Sequence, residues 1–267
     1  MHEEENIKNV RLIDRYFLDL KNENLAQFSF LQPQMDTYRH PPDWQHPDAS
    51  VREGERLIKA VYEALRNSTY WEKSALVITY DEHGGFYDHV KPPEIGIPPP
   101  DGVVAPDGFK FDRLGIRVPT VVASPLVAKG LVEHDASGPT PTSHYEHCSV
   151  MATCNKIFGI TDHLTARSAW AGTFEGLFNM TAARDDAPLR LPDLPDWTVE
   201  ELHEQWEKPL NDHLSVQVQF YCRENGHGPE CGQDITNQLQ ASLFIREQVP
   251  IFMERLGSME GHRIADF

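Results

Sequence analysis

The first part of the chain alternates short apolar runs with a longer stretch of helical periodicity. FSFLQ at residues 28–32 is a short apolar run between polar segments, and we predict a strand there. In VREGERLIKAVYEALRNS the apolar positions recur every three or four residues, which predicts a helix beginning after Ser50, with Glu53 in the position of a capping box. ALVITY at residues 75–80 lacks polar alternation, which predicts a strand buried on both faces.

A second apolar run and a second helical stretch follow further along the chain. VPTVVAS at residues 118–124 predicts a third buried strand, and a helix is expected from near Tyr145 to Gly159. Between these strands, residues 91–106 are rich in proline and glycine and predict an extended surface loop. The order strand, loop, helix, strand is typical of parallel α/β construction.

The composition changes after about Ala187. LRLPDLPDW at residues 189–197 predicts a proline-rich linker, because proline disfavours both helix interiors and central strands. Residues 199–213 and 235–256 have the polar, amphipathic character of surface helices. We therefore expect a helical region at the carboxyl end, at residues 193–267, and its role stays open.

The charge balance restricts the partners of the protein. The 267 residues include 24 Lys and Arg against 41 Asp and Glu, a net charge of −17 with neutral histidines. A surface this acidic repels phosphate backbones, so we expect no nucleic-acid partner. No apolar run is long enough for a transmembrane segment, and the polar opening MHEEENIKNVRLIDRYF predicts no signal peptide at this start. If the natural protein begins further upstream, a secreted or membrane-peripheral location stays open.

The cysteines and two tripeptides bear on the compartment. The four cysteines lack the close paired spacing of a zinc site: Cys148, Cys154, Cys222 and Cys231. The last two flank the loop RENGHGPE and fit a disulfide in an oxidising compartment, while four free thiols in a reducing cell fit equally well. Asn67-Ser68-Thr69 and Asn179-Met180-Thr181 match the acceptor pattern for N-glycosylation, a pattern that is also common by chance.

Ionisable residues are concentrated directly behind the ALVITY strand. Asp81, Glu82 and His83 lie at its carboxyl end, the edge of an α/β sheet where ligands bind. Adjacent carboxylates repel each other unless a cation lies between them, and hard divalent ions prefer such oxygen ligands. The pair Gly84-Gly85 supplies backbone freedom for a sharp turn or for close approach to a ligand. The alternative is a solvated turn with no ligand.

Two further histidine-bearing loops are expected at the same edge of the predicted sheet. DWQHPDAS carries His46 just before the first long helix, and SHYEHCS carries His144, Glu146 and His147 at the start of the next helix. The dipole at a helix N-terminus favours an anion there. Each histidine taken alone fits a surface or structural role better, and it is their convergence that predicts a site.

These segments also resemble a known family. ITYDEHGGFYDHV is similar to the signature of the phosphoesterase family that contains non-specific phospholipases C and related acid phosphatases. HPDASVREGERLIKAVYEALRNSTYW, FDRLGIRVPTVVASPLVAKGLV and SHYEHCSVMATCNKIFGI resemble its neighbouring segments. The resemblance covers about residues 28–192 and implies a catalytic domain there, with the α/β/α sandwich of the alkaline-phosphatase superfamily.

The resemblance also implies roles for single residues. In this family a divalent metal and a hydroxyl nucleophile act on a phosphate ester, such as a phospholipid. Carried over, Asp81 and Glu82 are metal ligands, and His46 contacts the phosphoryl group or protonates the leaving group. His83 and His147 are expected to bind substrate. The identity of the metal and of the ester stays open.

The sequence departs from the family in one respect. Members carry an ENRSFDH-like motif near the start and a downstream Thr or Ser nucleophile, and neither is found in this chain. We therefore expect the chain to correspond to the carboxyl-terminal half of a phosphoesterase, lacking the nucleophile and part of the metal shell. The alternative to an enzyme is a non-catalytic remnant with a weak metal- or phosphate-binding site. On this basis, the isolated chain should hydrolyse a phosphodiester no faster than its Asp81→Ala variant.

Overall fold

A computed structural model describes residues 9–35, 41–47 and 49–260 of the chain. The described residues divide into two compact units, one drawn from Met1–Leu65 and Arg190–Phe267 and the other formed by Arg66–Leu189. No described helix is long and apolar enough to cross a membrane. The predicted domain boundary between residues 192 and 193 stays a prediction.

The first unit is helical. Its described helices are α1 (Asp14–Lys21), α2 (Val51–Arg66, whose last residue belongs to the second unit), α5 (Val199–Glu207), α6 (Asp212–Glu224) and α7 (Gln238–Glu260). The second unit contains a 3-10 turn (Trp71–Lys73), strands β1 (Leu76–Thr79) and β2 (Thr120–Ala123), helices α3 (Cys148–Phe158) and α4 (Ala166–Trp170), and a second 3-10 turn (Glu175–Leu177). The carboxyl-terminal region is helical, but the stretch predicted at residues 199–213 is interrupted after Glu207, α6 was not predicted, and α7 begins at Gln238 instead of near residue 235.

The two predicted strands pair with each other, but the predicted parallel arrangement is wrong. β1 and β2 run antiparallel, with Leu76 opposite Ala123 and Thr79 opposite Thr120. Parallel neighbours need a crossover connection, usually a helix, and residues 80–119 contain no helix, so the chain reverses direction instead. The strands are not buried on both faces either, since Val121 is 56% exposed.

The run FSFLQ at residues 28–32 forms neither strand nor helix. Phe28 and Phe30 are both exposed, so neither side chain packs into the core of the described residues. The described part of the chain therefore holds helices and one small two-stranded sheet. The complete α/β/α sandwich stays a prediction.

Helix α2 begins and ends where its sequence predicts. It is amphipathic, and Val61, Tyr62 and Leu65 on its apolar side are buried. Helix α1 lies against it, and the hydroxyl of Tyr16 donates to the carbonyl of Val61 at 3.2 Å. Burial raises the pKa of Tyr16 to about 12, so its hydroxyl remains a proton donor at neutral pH.

The proline-rich segment after residue 189 has no regular structure, as predicted, but it lies along α2. Arg56 donates to the carbonyl of Pro195 at 3.2 Å, and Lys59 donates to that of Leu191 at 2.7 Å. Arg52 donates to both carboxylate oxygens of Glu201, at 2.9 and 3.2 Å. Cationic side chains of α2 thus supply hydrogen bonds to main-chain carbonyls that have no ladder of their own.

The carboxyl-terminal helices pack around a small apolar core closed by a disulfide. Cys222 and Cys231, nine residues apart, are joined in the structure, whereas the compartment stays a prediction. Buried apolar side chains of α6 and α7 form the core around this bond: Leu214, Val218, Cys222, Ala241 and Ile245. The disulfide closes only a short loop, but a unit with so small a core has little other stabilisation, so the bond is expected to matter for its stability.

We predict that removing this disulfide destabilises the helical unit. A Cys222→Ser, Cys231→Ser double variant should lose about 2–3 kcal/mol of unfolding free energy, by the loop-entropy relation for a short closed loop. Urea denaturation followed by circular dichroism measures this, and a reductant should shift the wild type but not the double variant. The control is Cys154→Ser, which removes a half-buried free thiol. Equal stability of the wild type and the double variant would contradict the prediction.

The pairing of Arg52 with Glu201 predicts an acid-sensitive contact. The guanidinium of Arg52, together with the Thr198 amide, lowers the pKa of Glu201 from 4.5 to about 2. A lowered carboxylate pKa contributes stability above pH 4.5 that disappears as the pH falls through about 2.

Wild type should therefore be more stable than Glu201→Gln near neutral pH, and the difference should vanish on acidification. Urea midpoints measured across this pH range test the prediction. Glu200→Gln, on the same turn of α5 and exposed, is the matched control. A difference between wild type and Glu201→Gln that does not change with pH would assign the effect to packing instead of charge.

Candidate functional site

The residues Asp81 and Glu82 form an exposed turn immediately after β1. Asp81 Oδ1 accepts a hydrogen bond from the Glu82 amide at 3.0 Å, and Glu82 Oε2 accepts one from the Gly84 amide at 2.6 Å. Gly84 and Gly85 have φ of 64° and 76°, which glycine adopts without strain. A Cβ on Gly85 would meet no atom within 4 Å, so this glycine serves the sharp turn and no close approach within the described chain.

His83 closes the same turn through hydrogen bonds with Phe86. Its Nδ1 lies 2.9 Å from the carbonyl oxygen of Phe86, and the Phe86 amide donates back to the carbonyl of His83 at 3.0 Å. A carbonyl only accepts, so Nδ1 carries the proton in this contact. The imidazole therefore has a structural partner on one nitrogen, and its other nitrogen remains for a ligand.

His147 reaches the strand end from α3. Its Nε2 lies 2.9 Å from the carbonyl oxygen of Tyr80, the residue that directly precedes Asp81. His147 is the N-cap residue of α3 but makes no side-chain capping bond. The structure thus brings together four predicted site residues, namely Asp81, Glu82, His83 and His147, around the end of β1.

The other residues of the SHYEHCS loop have structural partners. Glu146 accepts a hydrogen bond from the Cys148 amide at 3.0 Å and so satisfies a free N–H at the start of α3. The ring of His144 lies 6.1 Å from that of Trp170. Burial, reinforced by Glu146, raises the pKa of the Cys148 thiol to about 12, which makes it a poor nucleophile at neutral pH.

An ion pair that sequence reasoning missed fixes the far side of the turn. Arg117 donates to both carboxylate oxygens of Asp88, at 2.7 and 2.9 Å, and thereby joins the loop after DEHGG to the segment before β2. This pairing holds the pKa of Asp88 well below its usual range. In the sequence, Asp88 lies in the loop after one predicted strand and Arg117 directly before the next. Because 29 residues separate them, the sequence alone does not predict that they are in contact.

His46 belongs to the first unit, whereas the carboxylate turn belongs to the second. The His46 ring is exposed and stacks on Trp44 with centroids 4.7 Å apart, and its Nδ1 lies 2.5 Å from the carbonyl oxygen of Pro47. His213, on α6, also lies against Trp44, with ring centroids 4.7 Å apart. Sequence reasoning did not identify His213, because only the fold brings α6 to this loop.

The described residues do not make a complete metal site by themselves. Among residues 9–35, 41–47 and 49–260, no group of three or more His, Cys, Asp or Glu side chains is arranged to hold a metal ion. Asp81 and Glu82 have the oxygen donors that a hard divalent ion prefers, but each already accepts a backbone hydrogen bond. Two carboxylates fall short of the six to eight oxygen ligands of Ca²⁺, whereas Mg²⁺ is commonly held by one or two carboxylates with water completing its shell.

Comparison with known proteins identifies the family. The sequence model of the Phosphoesterase family matches residues 2–161, more than half of the chain. The chain belongs to the phosphoesterase family. Its DEHGG turn, described above, lies within the matched residues.

Individual relatives agree with this membership. The chain is 45% identical to non-specific phospholipase C6 of Arabidopsis thaliana over 229 residues, which are 82% of this chain and 44% of that protein. It is 48% identical to non-specific phospholipase C1 of the same plant over 67% of this chain and 35% of the relative. It is 31% identical to phospholipase C B of Mycobacterium tuberculosis over 61% of this chain and 31% of the relative. This phosphoesterase chain spans less than half of the length of each.

The ion pair between Arg117 and Asp88 predicts a measurable effect on the carboxylate turn. Arg117→Ala should loosen the turn, because Asp88, which also accepts the Val90 amide, loses the guanidinium that ties it to the segment before β2. We expect amide exchange of residues 81–90 to accelerate about two- to fivefold, the effect of losing a partly exposed ion pair. Hydrogen exchange with mass spectrometry measures it.

Two variants sharpen this test. Arg117→Lys keeps the charge but not the two-pronged geometry and should give an intermediate rate. Arg113→Ala, in the same loop but without contact to Asp88, should leave the turn unchanged. Unchanged exchange in Arg117→Ala would show that the turn is held without this pair.

Proposed function

We propose that the chain carries part of the hydrolytic site of a phosphate-ester hydrolase of the phospholipase C type. The observation that supports this most is the exposed Asp81–Glu82 turn at the end of β1, inside the segment that matches the phosphoesterase family. The relatives named as phospholipases C support the same reaction class, the cleavage of a phosphate ester. A phospholipid is the substrate class that these names suggest.

In this proposal Asp81 and Glu82 supply two oxygen ligands to a divalent metal ion. A bound divalent ion offsets the negative charge of phosphoryl oxygens. The turn fixes both carboxylates through the bonds to Glu82 and Gly84 amides, so they are oriented before any ligand arrives. Further ligands must come from water or from residues outside the described part of the chain.

The histidines are proposed to handle protons and phosphate oxygens. His83 and His147 each bond a carbonyl oxygen through one ring nitrogen, and the second nitrogen of a protonated ring donates to a phosphate oxygen. His147 also fixes the carbonyl of Tyr80 and thereby the start of the turn. His46 is proposed to donate the proton to the leaving alkoxide, a step suited to an imidazole near neutral pH. The alkaline-phosphatase-like sandwich is the fold that we propose for this region.

A second candidate is a non-catalytic remnant that binds a metal or phosphate weakly. The observation that favours it is the incomplete donor set, since the described residues include no group of three or more His, Cys, Asp or Glu side chains arranged to hold a metal ion. The two candidates differ in what happens when the segment is placed in a complete enzyme. A catalytic segment supports turnover there, whereas a remnant does not.

We predict that this chain can replace the matching segment of non-specific phospholipase C6 of Arabidopsis thaliana. The chimera should release the phosphorylated head group from phosphatidylcholine vesicles. Asp81→Asn in the chimera should lower kcat by at least about 100-fold, the upper end of the loss seen when even outer partners of metal ligands are removed. Asp101→Asn is the matched control, because Asp101 is also exposed and also accepts a nearby backbone amide.

Two outcomes would count against the proposal. A folded chimera, judged by circular dichroism, that lacks hydrolysis would favour the remnant. Equal Mn²⁺ binding by the isolated chain and its Asp81→Asn variant, in titration calorimetry, would remove Asp81 from the ligand set. The isolated chain is expected to hydrolyse the ester no faster than Asp81→Ala, and metal-dependent turnover above that level would mean that this chain alone completes the site.

A further inference from the structure

The asparagines of the two acceptor tripeptides for N-glycosylation differ in their hydrogen bonding. Asn179-Met180-Thr181 and Asn67-Ser68-Thr69 both have threonine in the third position and no proline in the second. Neither lies in the carboxylate turn. Both tripeptides belong to the second unit.

The segment around Asn179 is open to solvent. It follows the 3-10 turn Glu175–Leu177 and has no helix or strand, and all three residues of its tripeptide are exposed. The Met180 amide donates to the carbonyl of Leu126 at 3.2 Å, which anchors the segment to the body of the unit. Among the described residues, none forms a hydrogen bond with the Asn179 side chain.

Asn67 is engaged in the structure. It follows the last turn of α2, and its Nδ2 donates to the carbonyl of Leu189 at 3.1 Å. The nitrogen that would carry a glycan is therefore the atom that fastens residue 189 to the end of the helix. The Asn67 side chain is exposed, but in the folded protein its Nδ2 must leave the carbonyl of Leu189 before it can be glycosylated.

The disulfide is an independent observation on the same chain. A bond between Cys222 and Cys231 forms and persists in oxidising compartments such as the endoplasmic reticulum, where N-glycosylation also takes place. The free cysteines do not contradict this, because burial raises the pKa of both the Cys148 and Cys154 thiols and so slows their oxidation. Disulfide and accessible acceptor point to the same compartment.

We propose that Asn179 is an N-glycan acceptor and that Asn67 is left unmodified. The donor is an oligosaccharide carried on a lipid diphosphate. The Asn179 amide nitrogen forms a bond to C1 of the first sugar and loses one proton. The bond between C1 and the diphosphate oxygen breaks, and the lipid diphosphate leaves with the electron pair. No electron is gained or lost by the protein, and Thr181 completes the acceptor motif.

The proposal is tested by directing the full chain into the secretory pathway of a eukaryotic host behind a cleavable leader. Intact mass before and after peptide N-glycosidase should show one N-linked glycan in the wild type. Asn179→Gln and Thr181→Ala should each lose it completely, whereas Asn67→Gln and Met180→Leu should retain it. Translation with microsomes gives the same readout for any variant that is not exported.

The disulfide serves as the internal control for compartment and folding. Thiol labelling with and without reductant reports whether Cys222 and Cys231 are joined in each sample. A chain that has formed this bond but carries no glycan at residue 179 would overturn the proposal. So would a glycan that disappears in Asn67→Gln and persists in Asn179→Gln.

Discussion

The short pairing of β1 with β2 is the constraint on which the candidate site depends. Four residue pairs, ending with Thr79 opposite Thr120, fix the point at which the chain leaves the sheet and the carboxylate turn begins. The hydroxyls of this last pair lie 2.7 Å apart and close the end of the ladder. So short a sheet has little independent stability, and the turn relies on further contacts from outside it.

Those contacts come from both sides of the turn. His147 holds the carbonyl of Tyr80 from α3, and Arg117 holds Asp88 beyond the glycines. The turn that carries Asp81 and Glu82 is thus held at both ends, at Tyr80 by His147 and at Asp88 by Arg117. Such restraint is what a preorganised binding site requires, since the side chains need little further ordering when a ligand arrives.

A similar logic holds the first unit together around α2. Individual surface ion pairs contribute little to stability, and Arg52, Arg56 and Lys59 would be unremarkable if they faced only solvent or single carboxylates. Here they also bond to main-chain carbonyls of the proline-rich segment, which has no sheet or helix partner for those oxygens. Their role is to satisfy backbone polar groups, so the segment predicted as a linker is in fact docked.

Local signals predicted local structure well. Helix α2 follows from its apolar period and from Ser50, and α3 ends at Phe158 because Gly159, with φ of 69°, forms the left-handed cap expected of glycine. The sharp turn at Gly84 and Gly85 was also predictable, because positive φ is easily reached only by glycine. In each case the determining atoms lie within a few residues along the chain.

Features that depend on distant residues were not predictable in the same way. The direction of β2 depends on what connects it to β1, and an apolar run looks the same in either orientation. The run FSFLQ was predicted as a strand for the same reason, but a short apolar stretch forms a strand only when another strand pairs with it. The contacts of His147 with Tyr80 and of Arg117 with Asp88 span 67 and 29 residues, and only the fold reveals them.

The charge of the protein determines what the carboxylate turn still needs. A phosphate ester approaching Asp81 and Glu82 meets two negative groups on a chain with a net charge of −17. Three cations of the loop that follows are already paired, Arg117 with Asp88, and Lys91 and Arg113 with Glu94. In the proposed reaction the positive charge for the phosphate comes from a cation bound by the carboxylates themselves, and His83 and His147 contribute hydrogen bonds. Metal binding at Asp81 and Glu82 is for this reason the condition on which the proposed hydrolysis depends, and the number of further ligands decides whether this chain can meet it.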